Sequence, residues 1–222
     1  MKQVLKRFIQ VVSQLVIIMT ILLVSAGSIK WIWAWIYFIL CVLILIVNGF
    51  VLDPDLIAER GKKKENIKKF DRIITTVNII PVISIILLSG LDKRFGWTGN
   101  TAMVYYLAGI ILMILGNALF TWAMVANKYF STSVRIQTDR DHKVAEGGPY
   151  TIVRHPGYTG YILFTFATPM ILGSLWALIP AGITMALFVI RTILEDKTLQ
   201  NELEGYREYA ARVKYRLVPG IF

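Results

Sequence analysis

Arg191 and Glu195 stand four residues apart, where a long apolar segment gives way to a charged one. On an α-helix that spacing puts both side chains on one face. Charges at a membrane boundary are costly, so binding or catalysis is the first explanation for a pair kept there. The planar fork of Arg191 suits a carboxylate or phosphate, and a carboxylate at Glu195 suits a cation or a ribose-like group. The plainer reading is a structural ion pair, although Arg before Glu is the weaker order for a helical pair.

The second stretch with chemical capacity runs from Glu146 to Gly160. Gly147-Gly148-Pro149 and Pro156-Gly157 break it into a non-helical connector. The glycines let backbone approach a ligand closely, and Tyr150 and Tyr158 offer aromatic faces for a purine or a cation. Arg154 and His155 sit just before the apolar run that Tyr158 opens. Polar groups on irregular backbone at that depth line a cavity or are buried in protein, so the stretch reads as the floor of a ligand site. A plain structural turn would also use Gly-Gly-Pro. His155 followed by Pro156 can begin a helix, and His142 and His155 are each as readily structural as ligand-binding.

Several chemistries are excluded. There is no Gly-x-Gly-x-x-Gly in a strand–helix setting, no P-loop and no Gly-x-Ser-x-Gly elbow. The two histidines match no common metal spacing, and the single cysteine, Cys41, lies inside an apolar block, so no metal site and no disulfide framework are expected.

The elements that must position these residues are membrane helices. Of the 222 residues 56% are hydrophobic and 17% charged, and the mean hydropathy is +0.60. Soluble domains are about 45–50% apolar and about 25% charged, and here the apolar surplus is gathered in long blocks. The formal net charge of +10 then points to topology and anionic lipid. Nucleic acid is not expected as a partner, since no soluble domain remains to bind it.

Phe8–Ala26, Ile32–Leu52, Ile73–Ser89 and Ala102–Ala126 each read as a span, and the first is too long for a signal-peptide core. Tyr158–Ile190 is too long for one span and short for two, and Gly173-Ser174 predicts a tight hairpin of two short helices there. The expected fold is therefore all-α integral membrane with about six transmembrane helices, the last two a hairpin. The charged segment Arg191–Arg216 follows as a cytoplasmic amphipathic helix extending the last span. Residues 1–126 form a four-span region and residues 127–222 a catalytic region within one integrated domain. All of the 24 Lys and Arg except Lys30, Lys93 and Arg94 fall on the side of the N-terminus in this arrangement. The positive-inside rule then places both termini, and the site, in the cytoplasm.

Trp31, Trp33, Trp35 and Trp97 read as interfacial anchors, and Asp53–Asp71 as a solvated loop touching anionic headgroups. Gly109 and Gly116 favour close helix packing, between chains or within one.

At the residues already singled out, the chain resembles the isoprenylcysteine carboxyl methyltransferase family of integral membrane enzymes. The likeness rests on Gly148-Pro149-Tyr150, on Arg154-His155-Pro156-x-Tyr158-x-Gly160, on Arg191-x-x-x-Glu195, on Tyr206-x-x-Tyr209 and on Arg216-x-x-Pro219, in that order over the last hundred residues. It implies S-adenosylmethionine as cofactor, bound in a cytoplasm-facing cleft over a membrane tunnel for lipid. Carried over by position, it implies cofactor contacts at Gln137, His142, Lys143, Val144, Ala145, Tyr150, His155, Pro156, Gly157, Tyr158 and Glu195. It also implies a substrate-orienting role for Arg191, so that Arg191 and Glu195 are the candidate catalytic residues. The family's eukaryotic members often carry several acids beside the matched glutamate, whereas only Asp196 follows Glu195 here.

Methyl transfer to a carboxylate suits such residues, because the nucleophile is already ionised at pH 7 and no base or metal is required. The expected activity is carboxyl O-methylation of a prenylcysteine-like or other lipid carboxylate, with membrane lipids and a lipid or lipidated substrate as partners. The alternatives are phospholipid amine N-methylation, which needs a base, and an NADPH-dependent reductase of the sterol type. Tyr161 counts against the reductase, since an acid usually follows the Tyr-x-Gly element there. A non-catalytic scaffold is the third.

Overall fold

A computed structural model describes residues 2–62 and 64–222, and every regular element among them is helical. The chain forms α1 (Lys2–Ala26), α2 (Ile32–Val51), α3 (Pro54–Gly61), α4 (Lys69–Val77), α5 (Ile79–Phe95) and α6 (Met103–Ala126). It continues through α7 (Pro156–Ile171), α8 (Leu178–Glu202) and α9 (Tyr206–Arg212). Two short 3₁₀ turns, Thr138–Arg140 and Gly148–Thr151, interrupt the connector between α6 and α7.

Among the described residues, five segments are long and apolar enough to cross a membrane: α1, α2, α4 with α5 as Lys69–Phe95, α6 and α8. The sixth expected span, α7, is not among them, because it has only 16 residues, a length of about 24 Å at 1.5 Å per residue. Even so, α7 runs the depth of the bundle beside α6. Its far end turns at Gly173 (φ +69°), whose carbonyl accepts from Thr101 Oγ1 at 3.2 Å, in the loop between α5 and α6. The hairpin predicted at Gly173-Ser174 is therefore present, but its second arm is not short. The last span and the first half of the charged extension are one 25-residue helix, α8. A break at Leu203–Gly205 then separates the short α9.

Gly116 of α6 and Gly160 of α7 allow these helices to meet backbone to backbone. A Cβ on Gly160 would lie 2.5 Å from the Gly116 carbonyl oxygen, and one on Gly109 would lie 2.8 Å from the Ile171 nitrogen. These glycines thus pack within the chain. The main core lies between α1, α2, α6 and α7 around Leu22, Ala34, Met113, Ala167 and Ile171, while the outward faces of α1, α2 and α6 expose Ile, Leu and Val.

Two expectations need correction. The Asp53–Asp71 segment is not simply a solvated loop: α3 starts with Pro54 at its first turn and Asp53 as cap, accepting from the Asp55 N–H at 2.7 Å, and Asp71 is buried. Trp31 is buried as well and Trp33 stacks on Tyr106 at 3.9 Å. Trp35 and Trp97 remain exposed, as anchors would be.

Candidate active site

At the end of the bundle opposite the Gly173 turn, the connector after α6 folds over the start of α7, the end of α8 and α9. It encloses a cavity with about 790 Å³ of empty space, part of it open to solvent.

The connector is held by its own polar groups. The buried Gln137 donates from Nε2 to the Tyr129 carbonyl at 2.6 Å and accepts from Arg140 Nη1 at 2.9 Å. The Tyr129 hydroxyl donates to the Asp141 carbonyl at 2.6 Å, and the His142 ring lies 4.8 Å from that of Tyr129. Burial, and then the charges of Arg135 and Arg140, push His142 down to about 4, so it is neutral at pH 7. Further on, Asn127 Nδ2 donates to the Tyr150 hydroxyl at 3.2 Å, and the Tyr209 hydroxyl donates to the Tyr150 carbonyl at 2.8 Å. Burial raises the Tyr150 phenol.

Asp196 organises the floor. Its fully buried carboxylate receives Arg154 through Nε at 2.7 Å and Nη2 at 3.0 Å. Arg216 Nε reaches it at 3.0 Å, the Tyr206 hydroxyl at 3.0 Å and Gln200 Nε2 at 2.9 Å. Arg154 also donates to the Val213 and Lys214 carbonyls. The backbone N–H groups of Arg154 and His155 donate to Tyr215 and Arg216. The C-terminal tail is thereby tied beneath the start of α7. A forked Arg–carboxylate contact fixes orientation as well as charge.

Glu195, one residue earlier on α8, lies in the cavity. Its described hydrogen bond comes from the Tyr158 hydroxyl. Tyr158 of α7 stacks on His155 at 5.7 Å and nearly parallel, and the guanidinium carbon of Arg191, on α8, lies 5.0 Å from the Tyr158 ring centre. Arg191 does not pair with Glu195. Its Nε donates to buried Asp71 of α4 at 2.7 Å and its Nη2 to the Thr132 carbonyl at 3.1 Å, while the other oxygen of Asp71 accepts from the Val134 N–H at 2.9 Å.

Gln137, His142, Lys143, Val144, Ala145, Tyr150, His155, Gly157, Tyr158 and Glu195 are brought together around the cavity. Pro156 starts α7 and is packed away from it. Arg191 stands behind Tyr158 rather than in the lining. Sequence reasoning passed over Asn127, Tyr129, Phe130 and Arg135 in the wall, the positions of Tyr206 and Tyr209, and the roles of Asp71 and Asp196. The aromatic run Tyr129-Phe130 beside the connector was the one available signal.

The charges of the lining are unequal in their partners. Arg154 has Asp196, Arg135 has Asp139 and Glu59, and Lys143 has Asp141. Glu195 is the one acid in the lining, and among the described residues it makes no ion pair of its own, the nearest cation on α8 being Arg191, which pairs with Asp71. The site therefore holds a carboxylate without a direct ion pair between aromatic faces, suited to a cationic or hydroxyl-rich ligand. No group of metal-ligating side chains occurs among the described residues. A second cavity at the far end of the bundle includes Asp92, whose carboxylate is taken up by Thr98 and Ser174.

Residues 109–201 match the family described as isoprenylcysteine carboxyl methyltransferase. Protein-S-isoprenylcysteine O-methyltransferase B of Arabidopsis thaliana is 26% identical over 151 residues, 66% of this chain and 73% of that protein. A probable protein-S-isoprenylcysteine O-methyltransferase of Oryza sativa subsp. indica is 27% identical over 47% of this chain and 56% of its own length. The Schizosaccharomyces pombe protein-S-isoprenylcysteine O-methyltransferase is 28% identical over 50% of this chain and 48% of its own length. Apart from the first, the chain thus spans about half the length of these relatives. The matched region runs from Gly109 on α6 to Asn201 on α8, which takes in most of the cavity wall and leaves out α9 and the tail.

Proposed function

We propose, from the match of residues 109–201 to the isoprenylcysteine carboxyl methyltransferase family, that the chain methylates the carboxylate of a prenylcysteine-like lipid with S-adenosylmethionine. The observation that carries the reading is Glu195, which among the described residues has no direct ion pair, in a cavity whose lining cations Arg135, Lys143 and Arg154 each have one. A sulfonium cofactor with a ribose complements it. The alternatives of amine N-methylation, sterol-type reduction and a scaffold find no comparable support among the relatives, which carry the O-methyltransferase name.

When bound, S-adenosylmethionine supplies an electrophilic methyl: the acceptor oxygen forms a C–O bond as the C–S bond breaks and sulfur leaves as a neutral thioether. The residues of the chain supply position. Glu195 takes the ribose hydroxyls or the positive charge, and Tyr158 holds the Glu195 carboxylate in place. Arg191 acts as a positioning residue, flat against Tyr158 and anchored by Asp71. Tyr150, Tyr158 and Phe130 exclude water, and Gly157 makes room for the Phe130 ring. Correct alignment of two reactants can contribute about 7–11 kcal/mol. The N-terminus, through Gln3 and Arg7 beside Gly61, and the tail at Tyr215 and Arg216 lie at the same end of the bundle as the site. With the basic asymmetry of the loops, this supports both termini and the site facing the cytoplasm.

The test is transfer of label from methyl-labelled S-adenosylmethionine to an N-acetyl-S-prenylcysteine in vesicles carrying the purified protein. A labelled product that releases methanol in base is expected. Base-stable label would reassign the chain to amine methylation, and NADPH oxidation without label transfer would reassign it to the reductases.

A further inference from the structure

Unlike the cations around the cavity, Arg60 at the end of α3 has no acid among the described residues. Among the described residues its guanidinium makes no hydrogen bond, and its Nη1 is buried without a partner. The neighbouring acid, Glu59, is already taken by Lys62, Lys64 and Arg135. What surrounds Arg60 is aromatic: its guanidinium carbon lies 5.2 Å from the ring centre of Phe130 and 5.7 Å from that of Phe120. A second cation stands close by. Arg7 of α1 packs against the end of α3, where a Cβ on Gly61 would sit 3.1 Å from the Arg7 Cβ, and its one described polar contact is a long one to Gln10 at 3.5 Å. Burial, and then the Arg7 charge, push Arg60 down to about 10. Two guanidiniums without a carboxylate in a partly buried place are costly, and buried donors are ordinarily satisfied.

The position relates Arg60 to the site. Phe130 lines the cavity, and its ring edge abuts Gly157, where a Cβ would come within 2.6 Å. Arg60 is thus one aromatic ring away from the cavity, beside Leu52, Leu56, Phe120 and Met124, the apolar ends of α2, α3 and α6. Arg191, the expected anion receptor, is already neutralised by Asp71.

We propose that Arg60, backed by Arg7, is the receptor for an oxyanion carried on a membrane-resident lipid, and that in the reaction proposed above this anion is the acceptor's carboxylate. The same chemistry is offered by the phosphate of an anionic phospholipid, and binding measurements separate the two sources. An N-acetyl-S-prenylcysteine and its carboxamide are compared as ligands of the full chain in neutral phosphatidylcholine vesicles, with parent, Arg60→Met and Arg60→Lys. Arg60→Met keeps the apolar stem against Phe120 and Phe130, and an unchanged melting temperature in detergent reports that the variant is folded. The parent should prefer the carboxylate by about tenfold or more, as befits a charged hydrogen bond. Arg60→Met should lose that preference and Arg60→Lys should keep part of it. An unchanged preference in folded Arg60→Met overturns the assignment to the acceptor. If, in addition, phosphatidylglycerol binds the parent and not Arg60→Met, the receptor stands and its anion is the phospholipid headgroup; if neither ligand distinguishes the variants, the receptor itself is refuted. The preference is read without methyl transfer, so failure of the proposed reaction and failure of this assignment are separately visible.

Discussion

Glu195 and Asp196 are neighbours on α8 with opposite surroundings. Asp196 faces the tail and the start of α7, is fully buried and is met by Arg154, Arg216, Tyr206 and Gln200. Glu195 faces the cavity with the phenol of Tyr158. One carboxylate has spent its capacity on the fold, and the other has kept it for a ligand. The same contrast separates Arg191, paired with Asp71, from Arg60, which has no acid among the described residues. A charge near a cavity is therefore informative when it lacks a partner, and a paired one beside it reports on architecture.

The strongest way to break this contrast is Asp196→Ala. It strands Arg154 and Arg216, and removal of one partner from a buried pair costs about 3–5 kcal/mol. For a chain of this size that lowers the unfolding temperature by roughly 10 °C, measurable in detergent by thermal melting, with cofactor binding lost along with the fold. Asp71→Asn is milder, since it keeps an acceptor for Val134 while removing the charge that holds Arg191. A loss of about 1.5–3 kcal/mol is expected, seen as a lower melting temperature together with a several-fold weaker cofactor affinity.

Tyr158→Phe sharpens the comparison from the other side. It deletes the hydroxyl that positions Glu195 and leaves the ring over Arg191, so stability should change little while S-adenosylmethionine affinity falls by about threefold to tenfold, as for one hydrogen bond. The smallest effect concerns His142. Its folded value lies near 4 against 6.5 for a free histidine, so the fold favours the neutral ring and the unfolded chain takes up the proton first. That contribution is complete above about pH 6.5 and is lost as the pH falls from there toward 4. The parent should lose a few degrees more of melting temperature across this window than His142→Gln, in which that dependence is absent.

Much of the site was legible because its residues cluster in sequence. Gly147, Gly148, Pro149, Tyr150 and His155 to Tyr158 crowd into a stretch that neither helix nor membrane would favour. The long apolar blocks likewise announced the spans, and Gly109 and Gly116 the close helix contact. What escaped was settled at a distance. Asp71 and Arg191 are 120 residues apart, so the spacing of Arg191 from Glu195 suggested a partnership that the fold gives to another carboxylate. The reading of α7 and α8 as two short helices failed for α8 because helix propensity continues past the membrane boundary at Arg191, and no glycine or proline stands between Gly182 and Gly205. The capped start of α3 was present at Asp53-Pro54, but the surrounding lysines made a loop the simpler reading.

The most direct measurement is a titration of detergent-purified protein with S-adenosylmethionine and, separately, with NADPH, comparing the parent with Glu195→Gln. The account predicts saturable binding of S-adenosylmethionine, weakened about tenfold or more in the variant at an unchanged melting temperature, because a ligand loses a charged partner while the fold loses none. Equal affinity in parent and variant, or binding of NADPH alone, would contradict it.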